Sequence, residues 1–298
     1  MRDPRTREWV ARAVGEGARV VGGRRLSGGI TSTIHRLTVE TRSGLRRQVV
    51  LRRWTPGMIE DVIDAPLSVE REGDVLRRLE ATGIPAPRFL AADPNGDATG
   101  VPALLMSRVA GRMDLAPVDQ KAWLRQIAVM AVRIHELDVD AAPYQWEARA
   151  VPVPPWASKP ADWRAAAELV RRSPPDGDIR FAHGDYQHFN FLWQRGRLTG
   201  VVDWAAACRG PADRDVGHCR LNLAILYSAE LAADFLAAYE AEAGRRVDPY
   251  WDIRCATAPA REDWTQFIPI QVGGRAPFDR AGMARRVDEL LSAALRRL

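Results

Sequence analysis

Lysine is almost absent from this chain: of 43 basic residues only Lys121 and Lys159 are lysine, and all the others are arginine. Chemistry that calls for a particular lysine therefore has two candidates. Cysteine is scarce as well. Cys208, Cys219 and Cys255 are odd in number, unevenly spaced and free of any C-x-x-C pair, which excludes a disulfide framework and a thioredoxin-like or zinc site and points to reduced thiols in a cytosol. Long apolar runs are missing, since no stretch approaches the roughly eighteen residues of a membrane span. Met1 to Trp9 also lacks the apolar core of a signal peptide, so the expectation is a cytoplasmic protein that does not enter a membrane. An excess of one charge is missing too. The formal net charge of +5 is spread among interspersed Asp and Glu, which gives no support to a nucleic-acid partner. With 298 residues, and no repeat or low-complexity tract, the chain is long enough to bury a large core as one domain or two lobes.

What is present changes character along the chain. The first third is β-rich, with short β-branched or alternating runs at Arg24–Leu26, Ile34–Glu40 and Arg47–Arg53 separated by glycine turns. Apolar residues at helical spacing then predict a helix over Leu67–Thr82, stopped by Gly83. After Pro85 and Pro87 come an extended segment, Phe89–Ala92, and a strand over Val101–Val109. From Pro117 amphipathic helices dominate, predicted over Asp119–Leu137, Ala161–Arg172, Leu221–Ala243 and Ala281–Leu298. A Pro- and Trp-rich loop fills Pro143–Pro160. One β-rich insertion, Ile179–Val202, interrupts the helices.

That insertion carries the chemistry. It reads His183-Gly184-Asp185-Tyr186-Gln187-His188-Phe189-Asn190, then an apolar hairpin ending at Val202-Asp203-Trp204. Phosphoryl transfer asks an enzyme to aim an acceptor hydroxyl and neutralise phosphates rather than to form covalent intermediates. One carboxylate must take the hydroxyl proton, and a second carboxylate with an amide oxygen must supply the hard ligands that suit Mg²⁺. Asp185 fits the first role, Asn190 and Asp203 the second. Four residues separate Asp185 from Asn190, the spacing of base and metal-binding Asn in a kinase catalytic loop. His183 reads as a structural residue bonding the loop backbone, and Asp215 as a cap or a brace of the loop.

These residues resemble the aminoglycoside phosphotransferase and choline-kinase-like family, which has a protein-kinase-like fold. The resemblance rests on His183 to Asn190, on Asp203-Trp204, and on Gly210-Pro211-Ala212-Asp213-Arg214-Asp215, with similarity extending to Glu70–Leu76 and Gly83–Pro87 upstream. It implies a bilobal α+β fold: a β-rich nucleotide lobe over residues 1–105, a hinge over 106–110 and a mostly helical catalytic lobe over 111–298. The implied reaction is transfer of the γ-phosphoryl group of ATP or GTP, with Mg²⁺, to a hydroxyl of an aminoglycoside-like antibiotic or related natural product. A housekeeping metabolite kinase and a nucleotide-binding pseudokinase are the alternatives. A monomer or weak homodimer is expected.

By the same logic the third strand should bring a cation to the phosphates, and neither lysine lies there. Arg52 stands in its place, with Glu72 on the following helix as its partner, a substitution that changes the geometry because guanidinium is larger and flatter than ammonium. Gly28 and Gly29 would form the turn over the phosphates, and Met106 to Arg108 the connection facing the purine. Three further residues are candidates for the acceptor side. They are His188 within the loop, Trp156, which either stacks on substrate or pins the Pro-rich loop, and Asp252, one of several C-terminal acids that could attract a cationic acceptor.

Overall fold

The computed structural model describes residues 3–26, 29–30, 32–54, 64–148, 150–172, 174–258, 264–276 and 279–298. Its N-terminal part is a five-stranded antiparallel sheet in the order β1-β2-β3-β5-β4. The strands are β1 (Arg19–Leu26), β2 (Thr33–Glu40), β3 (Arg46–Arg53), β4 (Phe89–Asp93) and β5 (Ala103–Ser107). Alternation along β3 sets the site. Val49 and Leu51 join a small core with Val10, Val20, Leu37 and Leu105, whereas Val50 and Arg52 point to the opposite face, toward the helical half.

Two helices flank this sheet. α1 (Pro4–Val14) was not expected from the sequence; Asp3 caps it through the amides of Arg5 and Thr6, and Pro4 starts it. α2 (Ala65–Leu79) is capped by Asp64 and buries Val69, Glu72, Leu76 and Leu79 along one stripe. A carboxylate on the apolar stripe of a helix demands a partner, and Glu72 is only 1% exposed.

The remainder is mainly helical: α3 (Gln120–His135), α4 (Pro160–Val170), α5 (Ala212–Leu226), α6 (Ala229–Ala243), α7 (Pro249–Ala256), α8 (Trp264–Val272) and α9 (Arg280–Leu295). Two corrections to the sequence reading stand out. The single helix expected over Leu221–Ala243 is two helices broken at Tyr227-Ser228, where the Ser228 hydroxyl caps α6 by accepting from the Leu231 amide. The β insertion also has a fourth strand. β7 (Phe191–Gln194) and β8 (Arg197–Val201) form the expected hairpin, but β6 (Ile179–Ala182) pairs antiparallel with β9 (Cys208–Pro211). One continuous core runs from Trp54, Val69 and Leu104 through Ile127, Trp163 and Phe191 to Val287 and Leu291.

Candidate active site

The loop between β6 and β7 is folded by its own polar groups. Gly184 has φ +81, and a Cβ there would fall 1.9 Å from the Ala206 carbonyl oxygen, so glycine is required on both counts. His183 Nε2 donates to the Val202 carbonyl (3.1 Å), and its Nδ1 accepts from the Asp185 amide (3.3 Å). The imidazole is therefore the tie between loop and hairpin. Asp215, fully buried in the first turn of α5, accepts from the amides of His183 (2.7 Å) and Gly184 (2.9 Å) and from His135 Nε2 (3.3 Å). His135 in turn lies 2.9 Å from the Tyr239 hydroxyl. The bracing role expected of Asp215 has this physical form.

Asp185 is held at the loop's crest with a third of its side chain exposed. Its Oδ1 accepts from Gln187 Nε2 (2.8 Å) and His218 Nε2 (2.8 Å), and its Oδ2 from Asn190 Nδ2 (2.9 Å). Burial opposes ionisation, but the hydrogen bond from His218 and the neighbouring His218 and His183 outweigh it and hold the carboxyl down at about 2. Asp185 is thus an anion at any physiological pH.

Asn190 closes a 3-10 turn, its amide donating to both the backbone and side chain of Asp185. This leaves the amide oxygen for another partner. Asp203 follows β8 with φ +69, a left-handed conformation that a non-glycine residue adopts at a cost of about 1 to 3 kcal/mol and that recurs at functional sites. Its carboxylate meets Arg52 Nη1 at 2.5 Å, and the same nitrogen donates to Glu72 at 3.0 Å. Glu72 also accepts from the Trp204 amide (3.2 Å), while Arg52 Nε donates to the Ser32 hydroxyl (2.9 Å) and the guanidinium lies 4.5 Å from the Trp54 ring centroid. Strand, helix and post-hairpin loop are joined by this one cluster. Burial pushes the Glu72 carboxyl up, and the Arg52 charge opposes that rise. Asn190 and Asp203 offer hard oxygen donors that suit Mg²⁺. Among the described residues no set of three or more His, Cys, Asp or Glu side chains is placed to hold a metal.

The other sequence candidates fall elsewhere. Gly28 lies outside the described residues, and Gly29 is three residues before Ser32, which accepts from Arg52. Met106 is buried in β5, paired with Val50 and Phe89, and Arg108 is exposed just beyond that strand. Of the acceptor-side expectations, those for His188 and Asp252 are corrected, and for Trp156 the pinning alternative holds. His188 is completely buried against Phe189, Tyr227 and Trp123, and burial pushes its imidazole down to about 3. Trp156 stacks edge-on against Trp163 (5.2 Å), pinning the loop to the core. Asp252 is buried and its Oδ2 is engaged by both Arg220 and Arg297. The sequence reading passed over His218. Its signal was Asp215, His218 and Asn222 at helical spacing along α5.

A β-sheet presenting a cation over a loop that carries an aspartate, an asparagine and a following aspartate defines a kinase-like phosphotransferase. Residues 22–250 match the model of the phosphotransferase enzyme family, and the chain belongs to that family. The fold is the protein-kinase-like fold of its structural neighbours. It is similar to LicA in complex with AMP, at 16% identity over 97% of both chains with a TM-score of 0.62. It is similar also to a thermostable mutant of aminoglycoside phosphotransferase APH(4)-Ia in a ternary complex with AMP-PNP and hygromycin B, at 16% identity over 99% of this chain and 98% of that one with a TM-score of 0.60. Among curated proteins, acyl-CoA dehydrogenase family member 10 of Mus musculus is 24% identical over 195 residues, which is 58% of this chain and 18% of that protein.

Proposed function

We propose that this protein transfers the γ-phosphoryl group of ATP or GTP to a hydroxyl of an aminoglycoside-like antibiotic or related natural product. The observation that carries the reading is Asp185: a carboxylate a third exposed, kept ionised, and fixed on a loop tied to the Arg52–Glu72–Asp203 cluster. The acceptor hydroxyl would hydrogen-bond Asp185 Oδ2, the oxygen with one protein donor where Oδ1 has two. As its oxygen attacks the γ-phosphorus, the new O–P bond forms, the bond from that phosphorus to the bridging oxygen breaks, and the hydroxyl proton passes to Asp185 while the nucleoside diphosphate leaves. Arg52, kept in place by Glu72, would steady the phosphates. Asn190 and Asp203 would hold Mg²⁺, which when bound neutralises phosphate charge. The choice of acceptor is supported by the hygromycin B complex of one structural neighbour, and the nucleotide by AMP and AMP-PNP in two of them.

A housekeeping acceptor such as choline, homoserine or a sugar would use the same residues. The bridge from Arg52 to Asp203 favours a further reading, a nucleotide-binding pseudokinase, because it commits a metal ligand to a protein cation. One experiment separates the three. The protein is incubated with MgCl₂, ATP or GTP, and a panel of aminoglycosides, macrolides, choline, homoserine and sugars, and phosphorylated product is sought by mass spectrometry. Product on an antibiotic is expected; product on a metabolite alone supports the housekeeping reading, and nucleotide binding without product the pseudokinase.

A further inference from the structure

The Asp185 carboxylate is held by three side chains, and one of them comes from a different part of the fold. Gln187 and Asn190 belong to the loop itself, but His218 reaches Asp185 from the second turn of α5, 33 residues along the chain. α5 is placed for this by two devices. Asp215, one turn earlier on the same face, grips the amides of His183 and Gly184, and Gly217 lets α5 approach α7 so closely that a Cβ would stand 2.6 Å from the Trp251 carbonyl oxygen. Asn222, one turn later, donates to the His218 carbonyl (3.0 Å) and lies 3.3 Å from its Nε2. The imidazole is 27% exposed.

A carboxylate oxygen has two lone-pair positions. Gln187 and His218 fill both on Oδ1, whereas Asn190 fills one of two on Oδ2, leaving a single open position for an incoming hydroxyl. We propose that His218 is a positioning residue for phosphoryl transfer: by occupying Oδ1 it fixes the rotamer of Asp185 and restricts the acceptor hydroxyl to Oδ2. The role rests on the phosphotransferase reading above. Without His218 the carboxylate can turn about its Cβ–Cγ bond and offer a second, badly aligned oxygen, and misplacement by about 1 Å costs on the order of a hundredfold in rate. Truncation therefore lowers kcat and leaves nucleotide affinity alone, because His218 touches neither Arg52 nor Asp203. The amide of a glutamine can still donate to Oδ1, so that substitution recovers part of the loss.

The test follows ADP release from ATP and MgCl₂, with water as the acceptor, for the wild type, His218→Ala, His218→Gln and Asp185→Asn. The imidazole N–H resonances of the wild type and of Asp185→Ala are recorded in parallel. The expected result is a kcat lowered roughly ten- to hundredfold in His218→Ala with an unchanged KM for ATP, partial recovery in His218→Gln, and an exchange-protected Nε2–H signal that vanishes in Asp185→Ala. Wild-type kcat in His218→Ala beside an inactive Asp185→Asn overturns the role of His218 alone. Unaltered turnover in Asp185→Asn, or none in the wild type with water or with any acceptor of the panel above, overturns the phosphotransferase reading on which that role rests. Should His218→Ala fail to fold, a kcat for His218→Gln equal to that of the wild type or of Asp185→Asn overturns the proposal, as does a protected resonance indifferent to Asp185→Ala.

Discussion

At the scale of single residues, the site is governed by buried charges that must be matched. Arg52 is 8% exposed and Glu72 1%, and the two are joined at 3.0 Å. Arg52→Ala would leave Glu72 uncompensated in the core, at a cost of about 3 to 5 kcal/mol by urea unfolding, and would weaken nucleotide binding in calorimetry. Arg52→Leu, which packs but does not pair, is expected to share the binding defect. Asp215 gives a pH signature. Burial raises its carboxyl, but the hydrogen bond and charge of His135, with the charges of His183 and Arg214, bring it below the ordinary 3.8. A carboxyl depressed in the folded state contributes stability that is fully present above its unfolded value and lost as pH falls through its folded value. The urea midpoint of the wild type should therefore fall on acidification below about pH 4, and more steeply than that of Asp215→Asn, whose stability is lower at neutral pH. Equal acid slopes for the two proteins would contradict this. His183, Asp185, Asn190 and Asp203 could be picked out as candidates because their spacing is printed in the chain. His218 could not, since its partner is 33 residues away and only the packing of α5 brings them together.

At the scale of elements, the sequence showed strands and helices wherever local pattern and local caps agreed. β2 and β3 emerged nearly whole, and α2, α3 and α9 within a few residues of their ends. The break between α5 and α6 was hidden because apolar residues continue at helical spacing across Tyr227-Ser228, and the capping serine is visible only once the Leu231 amide is seen to need it. α1 was missed for the opposite reason: its Asp-Pro start is a good signal, but arginines obscure the short apolar face of Val10 and Val14. The close crossing of α5 and α7 makes a further prediction at this scale. Gly217→Ala must displace the Trp251 backbone, at a cost of about 1 to 3 kcal/mol from overpacking, and a lowered Tm by differential scanning calorimetry is the check. An unchanged Tm would mean that the two helices separate freely.

At the scale of the whole molecule, the sheet and the helical half are joined through the site as well as through the core. Arg52 of β3, Glu72 of α2 and Asp203 after β8 form one cluster, so the residues proposed to hold phosphate and metal also fix the sheet over the catalytic loop. The two-part architecture was readable from the change in pattern near Pro117. The contact across it was not, because long-range pairing of a strand cation with a carboxylate 151 residues later leaves no local trace. The acceptor is the part of the account that the sequence specifies least, and both Trp156 and Asp252 proved to be committed to packing and ion pairing. The phosphotransferase reading itself stands on Asp185. The measurement that decides it is nucleotide turnover with MgCl₂ by the wild type and by Asp185→Asn, alongside calorimetric AMP-PNP binding to both. Asp185→Asn should bind the nucleotide within about threefold of the wild type and lose roughly a thousandfold or more in turnover, the pattern of a group that acts in the transition state. Turnover by Asp185→Asn at the wild-type rate would contradict the account.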